Sequence, residues 1–319
     1  MRVLFWGTPE FAAPSLRALL GEGFEVVGIV TQPDKPVGRS RSRLQPPPVK
    51  LIALDEGLPV LQPDKPRGPE FLDSIRELAP DVSVVVAYGH ILPKPAIDVP
   101  ATGTFNVHAS LLPQLRGAAP IQAAIREGHD RTGVTVMRVV PALDAGPILH
   151  QVETPIVDDE TYGELSLRLS ELGALALVEA LSLLAVGEAT ETEQDESRAT
   201  YAPKVDREMT RVNWAHDAAA VSRVIRAYDP RPGAFTRLRG ADVKLFGARV
   251  ADVGSGYVPG EVVEIARGAM IVACGDGGAV RIVAVQPAGK RRMAPDELAR
   301  GRRLSVGDRF AIRDDDVAA

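Results

Sequence analysis

The sequence predicts an α/β protein in two parts: a mostly parallel, twisted sheet with helices on both faces, then a smaller OB-like β-barrel. Two observations carry this reading. As far as Val186, apolar strand-like runs alternate with helical stretches over short connections, as in a parallel sheet covered on both sides. Beyond Arg207, short strand-like runs succeed one another between Gly- and Asp-rich turns, as in a small antiparallel barrel. A chain of 319 residues is long enough for two cores. The expected boundaries are a first domain over 1–188, an acidic, aperiodic linker over 189–206, and a barrel domain over 207–319.

Each element has its own signal. Residues 2–6 form an apolar strand, and Gly7-Thr8-Pro9 turns it into a helix reaching about Leu20. Residues 26–30 are apolar throughout, as a strand buried on both faces should be. A long Pro-, Ser- and Arg-containing loop over 32–48 carries Arg39, Arg41 and Arg43, spaced to reach phosphates; a mobile, solubilising loop would look the same. Helices at 49–55 and 70–78 alternate with strands at 59–61 and 82–87. Residues 104–108 alternate as a strand, so Asn106 and His108 share one side of it. Pro113 cannot donate to a ladder and ends that strand, and a helix follows over 118–125. Residues 132–140 and 148–156 pair around a turn carrying Asp144, and a long helix spans 162–186. In the second part, a helix over 217–227 precedes strands at 234–238, 243–250, 260–265, 269–273, 280–285 and 307–312. Lys290, Arg291 and Arg292, with Arg302 and Arg303, form two basic clusters beside them.

Composition narrows the classes. The net charge of −5 divides unevenly: 18 Lys/Arg against 28 Asp/Glu to residue 206, and 19 against 14 after it. A basic second half suits a polyanionic partner, although so modest an excess also describes an ordinary solvated surface. Cys274 is the single cysteine, which excludes an internal disulfide and a Cys-rich zinc site and fits a reducing cytoplasm. No apolar run approaches a bilayer span, and the first residues lack a signal-peptide pattern. Neither a Gly-x-Gly-x-x-Gly after the first strand nor a P-loop is present, so dinucleotide and nucleoside-triphosphate readings lose their usual support.

Asn106, His108 and Asp144 are the Asn/His/Asp set that the topology gathers at one carboxyl edge of the sheet, where open α/β sheets bind ligands. Acyl transfer to an amine needs such groups. Asn offers an N–H donor to a developing oxyanion and never titrates. Imidazole handles protons near neutral pH, and a carboxylate orients it or accepts the proton that the amine loses. No Gly-x-Ser-x-Gly points to a covalent nucleophile. From the residues alone, a surface histidine and a capping asparagine explain the same spacing.

The motifs together say more. Asn106-x-His108, Ser110-Leu-Leu-Pro113, Arg116-Gly-Ala-Ala-Pro-Ile121 and Leu143-Asp-Ala-Gly146 resemble the folate-dependent formyltransferase family. Within it, residues 5–11, the Thr31-Gln-Pro-Asp-Lys-Pro36 loop and the C-terminal barrel are similar to the branch acting on methionyl initiator tRNA. The likeness covers essentially the whole chain. It implies a Rossmann-like catalytic domain that moves the formyl group of 10-formyltetrahydrofolate to the amino group of methionyl initiator tRNA, without a metal. Asn106, His108 and Asp144 would be catalytic, and Ser110, Leu111, Leu112 and Pro113 would line the folate site. Arg39, Arg41, Arg43, Lys290, Arg291, Arg292, Arg302 and Arg303 would meet tRNA. A cytoplasmic monomer without a membrane anchor is expected. Gln114-Leu115 and His90 depart from the family pattern, outside the catalytic set. Two rivals share parts of this reading: a formyltransferase with a small amine acceptor, such as glycinamide ribonucleotide or a sugar amine, and a non-catalytic RNA-binding protein.

Overall fold

The computed structural model describes residues 1–37 and 43–312. Arg39 and Arg41 therefore lie outside the described residues. The chain divides into two compact units. The first comprises residues 1–120, 132–154 and 166–202, and the second comprises 121–131, 155–165 and 203–319.

The first unit is built on a seven-stranded sheet. Its strands are β1 (Arg2–Gly7), β2 (Glu25–Val30), β5 (Val60–Leu61), β6 (Val82–Val86), β7 (Gly103–His108), β8 (Arg131–Arg138) and β9 (Ile148–Pro155). Between β2 and β5 lie β3 (Lys35–Val37) and β4 (Arg43–Gln45), an antiparallel ribbon where the sequence suggests an unstructured loop. The sheet order is β5-β2-β1-β6-β7-β8-β9, parallel from β5 to β7, with β8 antiparallel to β7. Apolar residues on both faces of β1 and β6 explain why these strands sit in the middle.

Helices α1 (Ala13–Gly21), α2 (Pro48–Asp55), α3 (Pro69–Glu77) and α4 (Lys94–Ile97) connect the parallel strands. Ile75 of α3 and Ala96 and Ile97 of α4 bury one face of the sheet against Leu4, Trp6 and Val85. On that face, Trp6, Val85 and Asn106 stand in register on adjacent strands, with Met137 next in line. The row thus runs from a core tryptophan to a polar amide. On the opposite face the long helix α6 (Tyr162–Ala185) packs closely at Gly173, where an added Cβ would lie 3.0 Å from a Val107 methyl. The intervening helix α5 (Pro120–Glu127) begins near the expected position.

The second unit carries α7 (Ala218–Ala227), capped by the Asp217 carboxylate on the Ala220 N–H. Its strands are β10 (Ala234–Leu238), β11 (Ala241–Ala251), β12 (Val262–Ala266), β13 (Ala269–Ala273) and β14 (Ala279–Pro287), in the antiparallel order β10-β11-β14-β13-β12. The expected strand over 307–312 is not a regular strand, yet it does a strand's work. Phe310 N–H donates to Gly260 O beside β12, and Ala311 N–H donates to Arg237 O on β10, so this segment joins the two edges and closes the sheet. Trp214 anchors the inside: it is fully buried, stacks on Phe310 at 5.5 Å and donates from Nε1 to Thr236 at 2.9 Å. The short helix α8 (Pro295–Arg300), between the two basic clusters, has no counterpart in the sequence reading.

Candidate active site

β7 brings Asn106 and His108 to the carboxyl edge of the sheet. Asn106 is half-buried and borders a cavity of about 160 Å³, whose walls include Val85, Leu92, Met137 and Val139, with Asp144 on its rim. Ile91 and Leu143, both largely exposed, stand at the same cavity. A wider cleft of about 410 Å³, near Thr102 and Arg138, includes none of Asn106, His108 and Asp144. Asn106 and Asp144 thus line the smaller cavity, and His108 stands behind it against Asp144.

His108 is buried, and both ring nitrogens face a partner. Nε2 lies 2.9 Å from the carbonyl oxygen of Leu115. A carbonyl only accepts, so this bond requires the proton on Nε2 and leaves Nδ1 with its lone pair. Nδ1 in turn faces Asp144, with Oδ2 at 3.8 Å. A proton arriving on Nδ1 would find the carboxylate beside it.

Asp144 is held from several directions. Its Oδ2 accepts the Gly117 N–H at 2.8 Å. Its own backbone is left-handed, with φ 49°, a conformation uncommon outside glycine, though aspartate in a turn adopts it more readily than most residues. Gly117 is at φ 114°, and a Cβ there would come within 2.7 Å of the Ala202 carbonyl, so this donor position admits only glycine.

The expected folate residues lie just behind this pair. Ser110, Leu112 and Pro113 are buried, and Leu111 is half-buried. Their loop is stitched into the sheet: Ser110 Oγ donates to Gln114 O, Thr135 Oγ1 donates to Ser110 O, and Gln151 Nε2 donates to Leu112 O. Pro113 O accepts the Thr200 N–H. Many of its carbonyls are thus committed within the unit, and the loop contributes chiefly a rigid shape. In the segment after β2, Asp34 accepts from Lys50 Nζ and Gln62 Nε2, both at 2.8 Å, which ties down the chain just before β3. Hydrogen bonds from Gln62 first, then Lys50, hold the Asp34 carboxyl below its usual range. Arg43, on β4, is exposed.

Within the segment expected as the linker, several residues engage this same loop. Arg116, 2% exposed, donates from Nε and Nη2 to Gln194 Oε1 and forms a two-pronged pair with Glu196. Thr192 pairs with Ile148, Tyr201 bridges to Arg116, and Thr200 Oγ1 accepts the Leu115 N–H at 2.8 Å. Gln194, Glu196 and Thr200 are invisible to a reading of the sequence, because a polar run without periodicity carries no sign of what it will touch.

The five candidate residues on the second unit differ in availability. Arg292 is exposed but already engaged, its guanidinium 3.8 Å from the Phe246 ring centre and 3.2 Å from Asp229. Arg291 pairs with Glu297. Lys290, Arg302 and Arg303 are exposed. Among the described residues, no group of three or more His, Cys, Asp or Glu is placed to hold a metal ion, and no helix is long and apolar enough to cross a membrane.

Comparison with known proteins agrees with this architecture. Residues 1–181 match the formyl transferase family model, and residues 204–303 match the model of the formyl transferase C-terminal domain. The methionyl-tRNA formyltransferase of Methylococcus capsulatus is 47% identical over 305 residues, covering 96% of this chain and 98% of that protein. Its counterpart in Geobacillus thermodenitrificans is 46% identical over 310 residues, 97% of each chain. Among solved structures, HypX from Aquifex aeolicus in complex with tetrahydrofolic acid shares the fold with a TM-score of 0.69 at 21% identity, over 98% of this chain and 51% of that one. With both family domains present in order and close to half of all positions identical along nearly the full length, the chain belongs to the methionyl-tRNA formyltransferases of the formyl transferase family.

Proposed function

We infer that the protein transfers the formyl group of 10-formyltetrahydrofolate to the amino group of methionyl initiator tRNA. The observation that carries the reading is the near-full-length identity to methionyl-tRNA formyltransferases together with an Asn, His and Asp set converging beside one cavity. The apolar walls of that cavity suit the flat ring system of a folate, with Val85, Leu92, Met137 and Val139 as candidate contacts. Ser110, Leu111, Leu112 and Pro113 are proposed as the firm wall behind it. The folate supplies a formyl carbon already bonded to nitrogen.

The side chains then divide the work. The Asn106 amide donates to the formyl oxygen as charge gathers there, a contribution worth most in a partly dry site. His108 takes the proton of the attacking amine on Nδ1, the nitrogen its bond to Leu115 leaves free, and hands it to the folate nitrogen as the bond from that nitrogen to the formyl carbon breaks, releasing tetrahydrofolate. Asp144 stands beside that nitrogen and stabilises the imidazolium so formed. No covalent enzyme intermediate is required. A small amine acceptor is the second reading; it leaves the basic clusters of the second unit without a task.

For the acceptor, Lys290, Arg302 and Arg303 are proposed to meet tRNA phosphates, joined by Arg291. Arg292 is the weakest of the five because it is already committed to Phe246 and Asp229. Arg39 and Arg41, with Arg43, are proposed to reach the acceptor end. The protein is proposed to act as a monomer in the cytoplasm. Replacing Lys290, Arg302 and Arg303 together by alanine should weaken tRNA binding, and the salt slope should fall by roughly one for each phosphate no longer neutralised. Turnover at saturating tRNA should change little. An unchanged slope across a salt titration would remove these residues from the tRNA surface.

A further inference from the structure

Gln194 spans the two halves of the catalytic corner. Its Oε1 accepts from Arg116 Nε at 3.0 Å and Nη2 at 2.7 Å. Its Nε2 donates to the backbone carbonyls of Asp144 at 2.9 Å and Gly146 at 2.7 Å. Arginine offers only donors and a carbonyl only accepts, so these four hydrogen bonds dictate which end of the amide points each way. Glutamine provides donor and acceptor on a stem of this length, whereas glutamate could satisfy Arg116 alone.

The turn it grips needs support. Asp144 is left-handed, and Gly146 lies so close to β8 that an added Cβ would fall 1.9 Å from Arg138 O. The Asp144 carboxylate is tied separately to Gly117, the residue after Arg116. Arg116 therefore fixes the turn through Gln194, and its neighbour fixes the carboxylate. The same segment reaches the other side of His108. Thr200 Oγ1 accepts the N–H of Leu115, whose carbonyl faces His108 Nε2. Residues 194–200 thus hold both groups that flank the imidazole.

We propose that Gln194 is a positioning residue for formyl transfer, acting through Asp144: by anchoring the Asp144 and Gly146 carbonyls to Arg116, it sets the carboxylate against His108 Nδ1. The proposal rests on the reading of Asp144 as part of the catalytic set. Misplacement of a reacting group by about 1 Å can cost on the order of a hundredfold in rate.

The test is Gln194→Glu, which keeps an acceptor for Arg116 and removes the donor to the turn. It should lower kcat roughly 10- to 100-fold, with KM for both substrates within about threefold and little change in melting temperature. A residue that acts through another loses its effect when that other is gone. In an Asp144→Asn background, Gln194→Glu should therefore lower kcat less than about twofold further. Gln194→Met, which adds no charge, should show the same dependence on Asp144. A folded Gln194→Glu enzyme with kcat within about twofold of wild type would overturn the proposal, as would full multiplication of the two effects. Loss of folding in both Gln194 variants would make the residue structural and overturn it too. If Asp144→Asn alone leaves kcat unchanged, the catalytic reading of Asp144 fails first, and the proposal fails with it in a distinguishable way.

Discussion

Replacing His108 by alanine is expected to lower kcat for formyl transfer by about a hundredfold or more, with folate affinity nearly unchanged. The size follows from what the substitution removes. The ring is buried, with Nε2 engaged by Leu115 and Nδ1 facing Asp144, so alanine leaves no group at that point to receive the proton of the amine. Folate affinity should survive because the cavity walls, Val85, Leu92, Met137 and Val139, are separate from the ring. Single-turnover rates with saturating folate, beside an equilibrium titration of folate, separate the two quantities. Near-normal turnover would remove His108 from the chemistry. A loss confined to folate affinity would make it a binding residue.

The second large effect is expected at Arg116. Its buried guanidinium meets Gln194 and Glu196 through charge-assisted bonds, and no other side chain in the loop can replace it. Arg116→Met keeps much of the volume and removes the donors. Stability should fall, because the buried guanidinium loses its bonds to Gln194 and Glu196, although the exposed Glu196 carboxylate makes the loss smaller than for a fully buried pair. Turnover should fall as well, because the anchor of the Asp144 turn is gone. The pair also carries a pH dependence. Hydrogen bonding to Arg116 holds the Glu196 carboxyl below its ordinary value of 4.5. A depressed carboxyl contributes stability above its unfolded value and loses it as pH falls through the folded one. Wild-type stability should therefore decline below pH 4.5, and the part of that decline owed to Glu196 should be absent in Arg116→Met. Denaturant unfolding at several pH values checks both statements; an Arg116→Met protein as stable as wild type would show the pair to be idle.

How much of this is legible in the chain depends on the kind of signal. The central strands read clearly, because residues 82–86 are valines apart from Ser83 and suit the middle of a covered sheet. Asn106 and His108 read clearly too, since a two-residue spacing on a strand puts them on one side. Asp144 reads as a turn residue, although its left-handed backbone and its bond to the Gly117 N–H belong to tertiary structure. The ribbon of β3 and β4 is hidden because each strand has only three residues and one of them carries a Pro, which strands disfavour. The closing segment at 307–311 has the pattern of a strand. It closes the barrel with isolated bonds because it reaches β12 on one side and β10 on the other. The stretch around Gln194 reads as linker because its role lies in partners found about fifty to eighty positions earlier in the chain. Arg292 groups with its basic neighbours by sequence, and only the nearby Phe246 ring and Asp229 reveal that its guanidinium is already engaged.

The most direct test supplies the protein with formyl-labelled 10-formyltetrahydrofolate and compares three acceptors in parallel: methionyl initiator tRNA, glycinamide ribonucleotide and an amino-sugar nucleotide, each with wild type and with His108→Ala. Label should pass to the methionyl-tRNA amine and release tetrahydrofolate in equal amount, with His108→Ala at least about a hundredfold slower and the small amines near background. Equal or faster transfer to a small amine would contradict the proposed acceptor, and no transfer to any of the three would contradict the enzyme itself.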